Sequence, residues 1–122
     1  YGPADATPAD TLRAYSEGRQ VHPLANPGAS DLTADVDFAR LRKLAESAGL
    51  AVRGPVPQGA FLTALGARER QRALAAANPA RAAEIARAVD ALVSPGQMGE
   101  RFKAITIGPP GMATPPGFAD EA

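Results

Sequence analysis

At 122 residues the chain is long enough for one domain, and its 45% apolar content suits a globular fold. Thirteen basic residues balance thirteen acidic ones, so no global field draws nucleic acid or an anionic membrane surface. Cysteine is absent, which removes disulfides, thiol catalysis and thiolate metal sites, and no apolar run reaches the roughly 18 residues of a membrane span.

Aromatics make up only 5% of the chain, and alanine supplies much of the apolar count. Alanine buries little area, at about 25 cal/mol per Å², so the piece is expected to lean on surface outside itself. Tyr1-Gly2 opens the chain without an initiator Met or a targeting pattern, which reads as a start within a longer protein. Residues 1–30 carry Pro3, Pro8, Pro23 and Pro27. They read as mostly irregular, with one short strand at 11–15. The lone histidine, His22, has no second ligand or nucleophile near it in sequence and reads as an exposed or hydrogen-bonding loop residue.

Asp31, Asp35 and Asp37 form the densest acidic patch. Asp37 suits a helix N-cap, its carboxylate accepting from the free amides that follow. Phe38, Leu41, Leu44, Ala45 and Ala48 then share one helical stripe, and Gly49 ends that helix, because a left-handed backbone costs glycine no Cβ clash. Residues 51–56 run extended, with Val52 and Val56 assigned to one face and Pro55 and Pro57 closing the run. Phe61, Leu62 and Leu65 mark a helix from Gln58 that Gly66 breaks.

The helix expected at 67–77 carries Arg68, Arg70 and Arg72. A phosphate could use them, but they point around most of the helix and read as a solvated face. Asn78-Pro79 should stop it and start another, with Asn78 as N-cap and Pro79 at the first helical position. In that last helix Ala82, Ile85, Ala86, Val89, Leu92 and Val93 line one side, while Arg81, Glu84, Arg87 and Asp90 can pair on the other. After a turn at 94–99, Phe102, Ile105 and Ile107 mark the best strand. The Pro/Gly-rich residues 108–122 are expected to trail over the surface or be disordered.

A strand fed by one helix and leading into another is the grammar of α/β layers. The familiar catalytic patterns are missing: no Gly-x-Ser-x-Gly, no Walker-type loop, no Gly-x-Gly-x-x-Gly and no His-x-x-x-His. No catalytic residue or metal ligand is assigned.

The order of the segments nevertheless resembles one family. Asp10-Thr-Leu-Arg, Pro27-Gly, Asp31-Leu-Thr-Ala-Asp-Val-Asp-Phe, Gly54-Pro-Val-x-Gln-Gly-x-Phe-Leu and Met98-Gly-Glu-Arg-Phe-Lys look like the C-terminal portion of certain S-adenosylmethionine-dependent methyltransferases. These include the mitochondrial complex I assembly-factor protein-arginine methyltransferase and its bacterial relatives. The resemblance covers residues 1–107, leaving 108–122 as a tail.

It implies an α/β chain, the C-terminal part of a Rossmann-like methyltransferase fold, helix-rich with a short antiparallel strand pair at about 51–56 and 102–107. Tyr1-Gly2 would close a sheet strand. The family's glycine-rich cofactor loop and ribose-binding acid lie upstream of Tyr1, so S-adenosylmethionine would be held by the intact parent and no cofactor-binding residue is expected here. The implied partners are a protein substrate and the missing N-terminal half of the same domain, with self-association of the fragment along its unfinished sheet. The implied location is the bacterial cytoplasm or, alternatively, the mitochondrial matrix.

An arginine substrate must be oriented and must lose a proton, and carboxylates serve both needs. Asp31 and Asp35 are therefore candidate substrate-binding residues, against the reading that Asp37 caps and the others decorate a loop. Gln58 and Gly59, at a strand-to-helix turn where open α/β sheets take ligands, are a second candidate site, against a plain helix start. The alternative to an enzyme is a non-catalytic remnant or protein-interaction module.

Overall fold

The computed structural model describes residues 11–118. The expected strand end at Tyr1 and Gly2 and the irregular reading of 3–10 lie outside them. The described residues divide into two compact units, one ending at Leu41 and the other beginning at Arg42.

The first unit is a small antiparallel sheet where mostly irregular chain was expected. β1 (Arg13–Ser16), β2 (Arg19–Val21) and β3 (Asp31–Thr33) lie in the order β2-β1-β3. Glu17 and Gly18, with φ of 50° and 74°, form the two-residue loop between β1 and β2. Paired positive φ values match the twist that a tight hairpin needs. Ala14 is fully buried and faces Val21 on one side and Leu32 on the other. Behind β3, Asp37 does cap the next helix: the Arg40 amide donates to its Oδ1 at 2.8 Å.

That helix, α1 (Phe38–Ser47), contains the division between the units. Gly49 (φ 75°) donates to the Glu46 carbonyl and Leu50 donates to that of Ala45, both at 3.0 Å. This is the Schellman arrangement, which satisfies carbonyls that a helix end would leave free.

In the second unit β4 (Ala51–Pro57) pairs antiparallel with β5 (Lys103–Gly108), as expected. Between them in sequence run α2 (Gln58–Ala64), α3 (Ala67–Ala77), a 3₁₀ turn at Pro79–Arg81, α4 (Ala82–Val93) and a wide turn at Pro95–Gly99. The ladder slips by one residue between Arg53 and Val56, a bulge at Gly54-Pro55. One extra residue reverses the alternation. Val52 stands opposite Ile107 and Val56 opposite Ala104, and those partners are three apart. Val52 and Val56 therefore occupy opposite faces, not the shared face that spacing suggested.

Two further expectations are corrected. Asn78 does not cap α4: its Nδ2 donates to the Leu74 carbonyl at 3.2 Å, so it closes α3 instead. Residues 109–118 do not trail. Gly108 abuts Met112, Gly117 abuts Phe61 and Leu65, Gly54 lies against Phe118, and the Phe61 and Phe118 rings are tilted at 54° with centroids 5.2 Å apart. Arg53 Nε donates to Thr114 Oγ1 at 3.4 Å. The segment straps one face of the β4–β5 pair because apolar anchors recur along it at wide spacing.

Three of the helical arginines are engaged by carboxylates, Arg68 across to α4 and the others close by in sequence. Arg72 pairs with Glu69 at 2.8 Å, Arg81 with Glu84 at 2.7 Å and Arg68 with Asp90 at 2.6 Å. The hydrogen bond from Arg81, and then its charge, hold the Glu84 carboxyl below its ordinary range. A lowered folded-state value means the stabilisation is present above the unfolded value and is lost as pH falls through the folded one. In a carboxyl-resolved NMR titration, Arg81→Gln is expected to move Glu84 back up. An unmoved midpoint would remove Arg81 as the cause. No helix among the described residues is long and apolar enough to cross a membrane.

Candidate functional site

In an antiparallel ladder, residues directly opposite one another project from the same face. In the first unit Tyr15 stands opposite both Gln20 and Asp31, and Arg13 stands opposite Thr33. One face of the sheet is therefore polar, with Tyr15 at its centre, while Ala14, Val21 and Leu32 share the other.

The three aspartates that looked alike in sequence have separate roles. Asp35 is engaged by Arg13 through two prongs, Nη1 to Oδ1 at 2.8 Å and Nη2 to Oδ2 at 3.4 Å. Its amide also donates to Thr11 Oγ1 at 3.0 Å, and Thr11 is buried. The hydrogen bond and charge of Asp35 raise the Arg13 guanidinium above its usual range. Asp37 is spent on the α1 cap. Asp31, exposed on β3, has no ion-pair or hydrogen-bond partner for its carboxylate among the described residues.

Gln58 and Gly59 belong to the second unit. The Gln58 amide donates to the Phe102 carbonyl at 2.9 Å, and its Nε2 donates to the Leu92 carbonyl at 2.9 Å. A Cβ on Gly59 or on Gly99 would overlap the Val93 carbonyl oxygen. These residues join β5, α2 and α4, and protein backbone already fills the space over both glycines. His22 is a loop residue whose Nδ1 accepts from the Leu24 amide at 3.2 Å. No group of acidic and histidine residues that could hold a metal occurs among the described residues.

Linear reading missed Arg13 and Tyr15. The signal available was the Glu17-Gly18 pair, which marks a hairpin and so brings distant residues opposite one another.

A family profile described as "Putative S-adenosyl-L-methionine-dependent methyltransferase" matches residues 1–56. Protein arginine methyltransferase NDUFAF7, mitochondrial, from Danio rerio is 40% identical over 105 residues, which is 84% of this chain and 24% of that protein. The mitochondrial NDUFAF7 homolog from Drosophila melanogaster is 41% identical over 102 residues, 82% of this chain and 23% of its own length. The chain thus spans about a quarter of the curated relatives it matches.

An uncharacterized superfamily protein from Burkholderia thailandensis superposes with a TM-score of 0.76 at 27% identity, over 88% of this chain and 29% of that one. Another structure from that organism and superfamily, bound to S-adenosyl-homocysteine, superposes at 0.74 with 27% identity, over 88% of this chain and 28% of its own.

Proposed function

Because this chain belongs to the S-adenosyl-L-methionine-dependent methyltransferase family, we propose that it forms the C-terminal, substrate-side part of a protein-arginine N-methyltransferase. The observation that carries this is the 40% identity to a protein arginine methyltransferase over 84% of the chain. That match spans both compact units rather than one motif.

Gly59, at the β4–α2 turn, is closed off by the Val93 carbonyl, which supports a cofactor site built elsewhere than at that turn. The cofactor-binding half is accordingly proposed to come from sequence other than these 122 residues, and no chemical step is assigned to residues of this chain.

Their share is binding and orientation, which in well-aligned reactions can be worth about 7–11 kcal/mol. Asp31 is the substrate-facing carboxylate. Asp35 acts one step back, fixing Arg13 beside it. Gln58 and Gly59 are retained as a candidate second contact for the substrate, with the β5–α2–α4 junction as the competing role for them.

The test is to supply the full-length parent with methyl-labelled S-adenosylmethionine and arginine-containing protein, then locate the label by peptide mass spectrometry. Methylated arginine is expected. Label on another residue type, or none with the cofactor bound, would overturn the reading. A second reading, a non-catalytic interaction module, rests on the exposed apolar side chains Leu44, Leu50, Leu65, Leu92, Met98, Phe102 and Ile107 of the second unit. Absence of cofactor binding by the parent would favour it.

A further inference from the structure

Among the described residues, the polar face of the β2-β1-β3 sheet carries one carboxylate more than its cations use. Arg13 is taken by Asp35, so Arg13, Asp35 and Asp31 together leave one negative charge, and it resides on Asp31. Beside Asp31 stands Tyr15, directly opposite in the ladder. Tyr15 is half-buried, while Asp31, Gln20 and Thr33 are exposed. The ring is thus partly covered, and the acceptors around it are open to solvent.

A half-buried aromatic ring beside an open carboxylate has a defined chemical preference. A guanidinium can lie against the ring, where the quadrupole attracts its charge. Its edge can at the same time present two parallel N–H groups to a carboxylate. An ammonium carries the charge but not the plane or the fork. The carboxamide of Gln20, across β1 from Asp31, supplies a further acceptor on the ring's other side.

We propose that Tyr15 and Asp31 form a seat for the guanidinium of a substrate arginine, with Gln20 flanking it and the Arg13–Asp35 pair keeping the neighbouring native cation out of the seat. This deepens the reading above by naming the residues that select arginine. It also stands on its own as a statement about binding.

The experiment uses the full-length parent and blocked peptides that differ at one residue: arginine, lysine or citrulline. Calorimetry measures binding in the presence of S-adenosyl-homocysteine. The arginine peptide is expected to bind, with the lysine and citrulline peptides weaker by about tenfold. Asp31→Asn should cost about tenfold in affinity for the arginine peptide, and Tyr15→Leu about threefold. Tyr15→Phe keeps the ring and should bind as the native protein does. Cofactor affinity and melting temperature are expected to hold in Asp31→Asn and Tyr15→Phe, which separates a binding defect from misfolding.

Unchanged arginine-peptide affinity in Asp31→Asn would overturn the seat, as would equal binding of the citrulline peptide. Arginine methylation whose KM ignores both Asp31→Asn and Tyr15→Leu would also overturn it while leaving the methyltransferase reading intact. The expected binding pattern without any methyl transfer would support the seat and overturn that reading instead.

Discussion

Gly59→Ala and Gly99→Ala are each expected to destabilise the protein by about 3 kcal/mol or more, and to rank among its most damaging single substitutions. On helix propensity alone Gly59→Ala should help, by about 1 kcal/mol, since Gly59 lies within α2. Packing reverses the sign. The added Cβ would overlap the Val93 carbonyl oxygen and stand only 3.2 Å from the Gly99 Cα. At Gly99 it would also lie 2.8 Å from the Ser94 carbonyl oxygen. These are backbone atoms and cannot rotate aside, so α2, α4 and the Pro95–Gly99 turn would have to part.

Gly96→Ala is the control, because nothing lies within 4 Å of its Cβ position. Urea unfolding of the three variants decides between the two roles of Gly59. A raised KM with unchanged stability would mean that the glycine makes room for substrate. A midpoint lowered in Gly59→Ala and Gly99→Ala but not in Gly96→Ala would mean that it makes room for Val93.

Gly49 and Gly66 were legible for the same physical reason that Gly59 was not. Their φ values of 75° and 89° are local requirements that end a helix, and a helical stripe running into a glycine announces them. The demand on Gly59 comes from the carbonyl of Val93, at the far end of α4, and no local pattern carries it. Helix positions were accordingly close to the expected ones, with α3 at Ala67–Ala77. The three strands of the first unit were largely unforeseen, because strands of three or four residues owe their existence to cross-strand partners rather than to their own period.

The bulge at Gly54-Pro55 is a sharper case. Alternation placed Val52 and Val56 together, and one inserted residue separates them. At the candidate site the acidic patch itself was visible. The distinction within it was not, because it is drawn by Arg13, 22 positions before Asp35, which pairs with Asp35 and leaves Asp31 open. Tyr15 gained its place beside Asp31 by the same long-range pairing.

Phe118→Ala is the second large effect, expected to cost about 2 kcal/mol and so to lower the melting temperature by roughly 8 °C. Composition argues against this, since the segment is rich in proline and glycine and nothing periodic points inward. Geometry argues for it. Phe118 meets Phe61 at a ring separation of 5.2 Å, and the preceding Gly117 comes so close to that ring that a Cβ there would lie 2.5 Å from it. Gly117 also has φ of 89°, so Gly117→Ala combines a clash with a strained backbone and should be at least as damaging.

The strap covers the β4–β5 face that bears Arg53, Val56 and Gly108. Buried Val52 and exposed Ile107 lie on the other. Removing the Phe118 ring therefore uncovers part of the strapped face on a two-stranded sheet, which has little stability without a packed layer on it. Thermal unfolding of Phe118→Ala beside Gly117→Ala provides the check. Melting temperatures within a degree or two of the native protein would mean that residues 109–118 merely rest on the sheet, and the second unit would then have to owe its stability to the Val93 junction and the paired strands alone.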